Sequence, residues 1–145
     1  MKALRLIPVI LLAAACASSG PPLSTSGGRA GIAVTLLSPV FFGSSTTAPA
    51  NIEVVVENRA GVPIVVRNVS LQGSGMMTWT VYPTQRMFNE SINPGEAKAF
   101  PMFATAAARQ ARMTPNEPLT VRAVVQFEAG KERFQEIYTG GAYEP

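Results

Sequence analysis

The 145-residue chain contains no histidine, and no aspartate either: its nine acidic residues are all glutamate. Histidine is the ordinary proton shuttle near neutral pH and the commonest metal ligand. Its absence removes His-based acid–base catalysis, Ser-His-Asp hydrolysis and the usual zinc sites. Without aspartate, the calcium loops built on that residue are excluded as well. A single cysteine, Cys16, allows no internal disulfide. Charged residues make up only 14% of the chain, and the few arginines are scattered, which argues against nucleic-acid binding. Hydrophobic residues, at 47%, are too abundant for a disordered chain. The length fits one domain.

The N-terminus has a layered composition. Lys2 and Arg5 form a short positive region, Leu6 to Leu12 an apolar one, and Ala13-Ala14-Ala15 a run of small residues before Cys16. The apolar stretch Leu6–Ala15 is ten residues long, against about 20 for a bilayer-spanning helix. This is the layout of a secretory signal. Its removal takes away Lys2 and Arg5 and leaves ten basic and nine acidic residues, so the net charge falls from +3 to +1.

Leu12-Ala13-Ala14-Ala15-Cys16 resembles the lipobox of bacterial lipoproteins. The resemblance implies cleavage between Ala15 and Cys16, a thioether-linked diacylglycerol on Cys16, and an acyl chain such as palmitate on its new amino terminus. Each buried CH₂ contributes about 0.8 kcal/mol, so two or three chains hold a domain stably on a membrane. Ala17 in place of an aspartate after the cysteine implies, by the same resemblance, transport to the outer membrane, facing the periplasm.

Residues 1–15 are thus expected to be a signal peptide and residues 16–31 a lipidated cysteine with a flexible Ser/Gly/Pro-rich linker. Residues 32–140 are expected to form one domain, and residues 141–145 a tail. Within the domain, period-two patterns predict strands at Ile32–Leu37, Asn51–Asn58, Val62–Gln72, Met76–Tyr82, Ala97–Phe103, Leu119–Glu128 and Lys131–Thr139. Asn58-Arg59-Ala60-Gly61 and Asn93-Pro94-Gly95-Glu96 read as turns, and Ala129-Gly130 as a hairpin turn. Ala104–Met113 is alanine-rich enough for a short helix. About seven strands without long intervening helices predict an all-β, antiparallel Ig-like β-sandwich. Trp79, Phe88, Phe100, Phe103 and Phe127 are its expected core aromatics.

Glu53-Val54-Val55-Val56-Glu57-Asn58, Val62-Pro63-Ile64-Val65-Val66 and Val69-Ser70-Leu71 resemble the strand–Asn–turn–Pro–strand segment of water-stress LEA-type (WHy) domains, as does the Ile92-Asn93-Pro94-Gly95-Glu96 turn. The resemblance implies an Ig-like sandwich with a stress-protective or binding role, and brings no catalytic residues.

The chemistry-bearing residues point away from catalysis. Lys98 and Lys131 are the bases left for a Ser–Lys dyad, but they fall in a predicted strand and a hairpin turn, where solvated charges belong. Gly73-Ser74-Gly75 reads as a turn. Glu53 and Glu57 lie roughly 13 Å apart along one strand at about 3.3 Å per residue; with Glu128, Glu132 and Glu136 they read as a wet sheet face rather than a glycosidase pair. The methionines Met76, Met77, Met87, Met102 and Met113 offer soft ligands for Cu(I), with Met87 and Met102 as the candidate pair, although methionine more often fills core gaps. Arg109 and Arg112 share one face of the predicted helix. The chain is therefore expected to be a non-enzymatic, cofactor-free envelope lipoprotein with a protein partner, binding through loops Phe42–Pro49 and Pro83–Asn93, the latter carrying Arg86, Met87 and Phe88. A periplasmic Cu(I) or small-ligand carrier is the alternative, and a WHy-like protectant a minor one.

Overall fold

The computed structural model describes residues 28–75, 79–108 and 119–142. The signal segment, Cys16, most of the linker, Met76, Met77, Met113, Arg109 and Arg112 lie outside them. Eight strands follow in order: β1 (Ala30–Leu36), β2 (Thr47–Asn58), β3 (Ile64–Gly73), β4 (Trp79–Val81), β5 (Thr84–Ile92), β6 (Ala97–Ala108), β7 (Leu119–Ala129) and β8 (Glu132–Ala142). They form two antiparallel four-stranded sheets, ordered β1-β2-β6-β4 and β5-β3-β7-β8. The architecture is the expected all-β sandwich.

The inward faces follow directly from alternation. Ile52, Val54 and Val56 on β2 meet Val121, Ala123, Val125 and Phe127 on β7 in one buried cluster with Ile32, Val34, Phe100 and Met102. Trp79 is also buried there, and Phe88 packs edge-on against Phe100 at 4.9 Å between ring centroids. Such apolar burial, worth about 25 cal/mol per Å², is what holds a domain without a disulfide.

Three expectations are corrected. Pro83–Asn93 is not a loop, because Thr84–Ile92 is an edge strand paired with β3. Its alternation is faint because two of its inward positions carry long polar side chains: Arg86 donates to the Pro101 carbonyl and Glu90 pairs with Lys98 at 3.3 Å. Likewise, Ala104–Ala108 is strand rather than helix. β2 and β4 flank it and supply a ladder (Thr47↔Ala107, Trp79↔Ala108), and that tertiary pairing overrides the helix preference of alanine. Phe103 is the third, lying 71% exposed on the outer face. Three residues from Phe100 on the same strand, it must point the opposite way. The sandwich also begins at Ala30, two residues earlier than expected, and Thr47–Pro49 of the other predicted loop belongs to β2.

Two connections between the sheets are pinned on one residue. Asn58, fully buried, ends β2. Its Nδ2 donates to the carbonyls of Val62 and Ile92, both at 2.9 Å, and its Oδ1 accepts the Ala60 amide at 2.8 Å. Its backbone N–H donates to Glu96 O, and its carbonyl accepts from Gly95 N–H. Gly95 there has φ 78°, a left-handed conformation suited to glycine. The β2–β3 and β5–β6 connections are thereby tied together.

The chain changes sheets between β4 and β5, at Tyr82-Pro83. β4 covers only residues 106–108 of β6, and the Tyr82 amide extends the contact to Thr105. The rest of that edge is guarded by side chains: Thr84 Oγ1 donates to Phe103 O at 3.5 Å and Arg86 to Pro101 O, while Pro101 itself has no N–H to offer.

Candidate functional site: the two outer sheet faces

The outer faces of the sandwich differ in chemistry. On the β1-β2-β6-β4 sheet, the register Asn51↔Phe103 and the bond from Leu37 N–H to Asn51 O set Leu37, Asn51 and Phe103 in one row. Tyr82 stands beside Thr105, two residues along β6 from Phe103. Phe41, 81% exposed, stands on the β1–β2 connection next to Phe42, whose ring packs edge-on against Trp79 at 6.0 Å. Leu37, Tyr82 and Phe103 thus put exposed apolar side chains at one end of one sheet, with Asn51 between Leu37 and Phe103 and the exposed Phe41 on the β1–β2 connection. Patches of this kind mark interaction sites. The next row is Thr35, Glu53 and Pro101, so the patch has an acidic neighbour.

The patch lies at the opposite end of the sheet from where the chain enters. Seven residues of β1 at about 3.3 Å each put Leu37 roughly 23 Å from Ala30. The entry itself is clamped to β8. Arg29 makes a two-pronged ion pair with Glu132, at 2.6 and 2.7 Å, and its amide donates to Glu136 at 3.0 Å. Its guanidinium sits 4.1 Å above the Phe134 ring, which stacks in turn on Phe127.

The β5-β3-β7-β8 sheet presents a polar outer face. A bulge between Val66 and Asn68 sends Arg67 and Asn68 outward in succession. Arg67 donates to both oxygens of Glu128, at 3.2 Å each, and to Asn89. Arg133 approaches the same carboxylate at 3.8 Å. Hydrogen bonding from Arg67, aided by its charge and that of Arg133, holds the Glu128 carboxyl below the usual carboxylate range; Arg29 does the same to Glu132. A group whose folded pKa is depressed stabilises above its unfolded value, and that contribution disappears as pH falls through the folded pKa. Carbon-13 titration of the carboxyls is expected to give midpoints for Glu128 and Glu132 below 4.5, the ordinary glutamate value. Arg67→Met should return Glu128 toward 4.5 and leave Glu132 in place; a Glu128 midpoint unmoved by Arg67→Met would contradict the assignment.

The residues singled out by sequence are dispersed. Met87, 81% exposed, stands on the outer face of β5, whereas Met102 is buried in the core on β6 of the other sheet. The structure does not bring this pair together as ligands. Glu57 pairs with Arg59 at 2.8 Å, and Lys98 with Glu90. No cluster of three acidic or cysteine ligands exists among the described residues. Sequence reading put Glu53, Glu57 and Glu128 on a wet face but missed the exposed apolar group on one sheet and the amide row on the other. The bulge has a legible sign, since the inward residues Ile64 and Val66 are even-numbered and Val69 and Leu71 odd-numbered.

No family model matches this chain, nor does any curated protein. Among solved structures, it is similar to a FixG-related protein from Vibrio parahaemolyticus (TM-score 0.35, 14% identity, covering 79% of this chain and 97% of that one). It is also similar to a protein from Archaeoglobus fulgidus (TM-score 0.44, 11% identity, 83% and 94%). A third similarity is to a beta-glucuronidase from Bacteroides uniformis (TM-score 0.41, 17% identity), where it covers 77% of this chain and 13% of that enzyme.

Proposed function

We propose that the chain is a non-catalytic lipoprotein of the bacterial envelope, anchored to the outer membrane through acyl groups on Cys16. In this reading it binds a protein partner through the exposed Leu37, Phe41, Tyr82 and Phe103 cluster. The lipid half rests on Leu12-Ala13-Ala14-Ala15-Cys16 and the charged and apolar segments before it. The binding half rests on one observation, the gathering of these side chains at the end of the sandwich remote from chain entry. Aromatic residues dominate binding energy at protein interfaces. Glu53 in the adjoining row would be repelled by anionic lipid headgroups, which favours a protein over the bilayer as the occupant.

The test has two arms. Globomycin should make the precursor accumulate, and Cys16→Ser should abolish palmitate incorporation and release the protein from membranes. A photo-crosslinking residue at Phe41 or Phe103 should give one discrete adduct in intact cells, and the same residue at Met87, on the opposite face, should not. An unmodified thiol at Cys16 would refute the anchor. Absent or indiscriminate crosslinking would refute the patch.

A further inference from the structure

The outer face of the β5-β3-β7-β8 sheet holds a shallow open concavity of about 700 Å³. Its chemistry is unlike that of the aromatic patch. Register sets Met87, Asn68, Gln126 and Gln135 in one row across all four strands. Arg67, Glu128 and Arg133 border that row. Three neutral amides therefore stand side by side, each able to donate and accept. The adjoining charges are mixed rather than of one sign: Glu128 is shared between two guanidiniums, leaving a net +1. A strongly anionic ligand would meet Glu128, and a cation would meet Arg67 and Arg133.

Asn68 adds a second observation. Its Oδ1 is shielded from solvent and accepts no hydrogen bond, although the residue lines the concavity. A shielded acceptor without a donor is costly, and a ligand hydroxyl that drew the amide outward would relieve it. The bulge that creates this position breaks the β3 ladder locally, a device that re-aims side chains at sites.

We propose that this concavity binds a neutral oligosaccharide. Vicinal sugar hydroxyls both donate and accept, which suits a row of amides flanked by a carboxylate and the two guanidiniums around it. The apolar side of a sugar ring can rest on the exposed Met87 thioether. Asn68 and Gln126 stand on β3 and β7, the central strands of the sheet, so the backbone beneath the middle of the row is already paired and an extended peptide could join only at its ends, along β5 or β8. The aromatic patch lies on the other sheet, so this inference does not rest on the proposed protein partner.

The experiment uses the full chain in detergent, labelled with carbon-13 at the methionine methyls. Met87 reports on the concavity, and buried Met102 reports on the integrity of the core. Chitotetraose and maltotetraose are each titrated to roughly 20 mM, enough to nearly fill a site of about 1 mM affinity. Tetragalacturonate and tetra-alanine serve as the acidic and peptide probes. A neutral tetrasaccharide should move the Met87 methyl saturably and leave Met102 still. Gln126→Ala and Arg133→Ala, both at exposed positions, should each weaken that binding by about tenfold with Met102 unchanged. The proposal is overturned if neither neutral sugar shifts Met87, if tetragalacturonate or tetra-alanine binds as well or better, or if binding survives both substitutions.

Discussion

Replacing Asn58 with alanine is expected to lower the unfolding free energy by about 3–5 kcal/mol, among the largest effects of any single change in this domain. The side chain is fully buried and uses both ends of its amide. Its removal strands the buried carbonyl of Ile92 and takes the partner from the part-buried carbonyl of Val62 and amide of Ala60. Each buried polar group left without a partner costs about 1–3 kcal/mol, partly offset by relaxation. The loss should appear as a fall in Tm of roughly 15–30 °C at this domain size. Asn58→Asp is an informative companion. It can still accept from Ala60, but it faces the two carbonyls without a donor and buries a charge, so it should rescue little. If Asn58→Ala melted within a few degrees of the parent, the tie between the two connections would be structurally idle.

Phe100→Ala should cost about 3–5 kcal/mol, and Phe103→Ala less than about 0.5 kcal/mol. The two residues share a strand and a chemistry and differ only in the face they occupy. Phe100 is 2% exposed and bridges the sheets by meeting Phe88 of β5. Truncating it leaves a cavity that neighbouring strands cannot close. Phe103 has its ring in water, so its loss should leave urea stability intact while weakening any partner held at the aromatic cluster. Equal destabilisation by both substitutions would mean the face assignment of β6 is wrong.

These two phenylalanines also show what could be read from the sequence and what could not. Strands β2 and β7 were legible because apolar and polar residues alternate there without interruption, Ile52-Val54-Val56 against Glu53-Val55-Glu57 and Val121-Ala123-Val125-Phe127 against Arg122-Val124-Gln126-Glu128. Aromatic type alone suggested that Phe100 and Phe103 are both core, yet a spacing of three on a strand forbids it. β5 was illegible because it is an edge. There Arg86 and Glu90 can turn inward and still reach polar partners at the rim, which erases the pattern. The alanines from Ala104 onward misled because a local preference for helix says nothing of the strands waiting on either side. The cross-strand groupings on the outer faces were not legible, because a row such as Met87, Asn68, Gln126 and Gln135 exists only once four separated segments are aligned. The proposed lipid attachment is the reverse case, since the motif it rests on is written in consecutive residues and owes nothing to the fold.

The guarded flank of β6 bears on how many copies can crowd together. Molecules concentrated on a two-dimensional surface collide repeatedly in similar orientations, a setting that favours growth of one sheet into the next. A neighbour trying to add a strand between Ala97 and Thr105 would find an imino acid where it needs an amide, and carbonyls already taken by Arg86 and Thr84. Dense arrays of this domain should therefore resist joining sheet to sheet along this flank of β6.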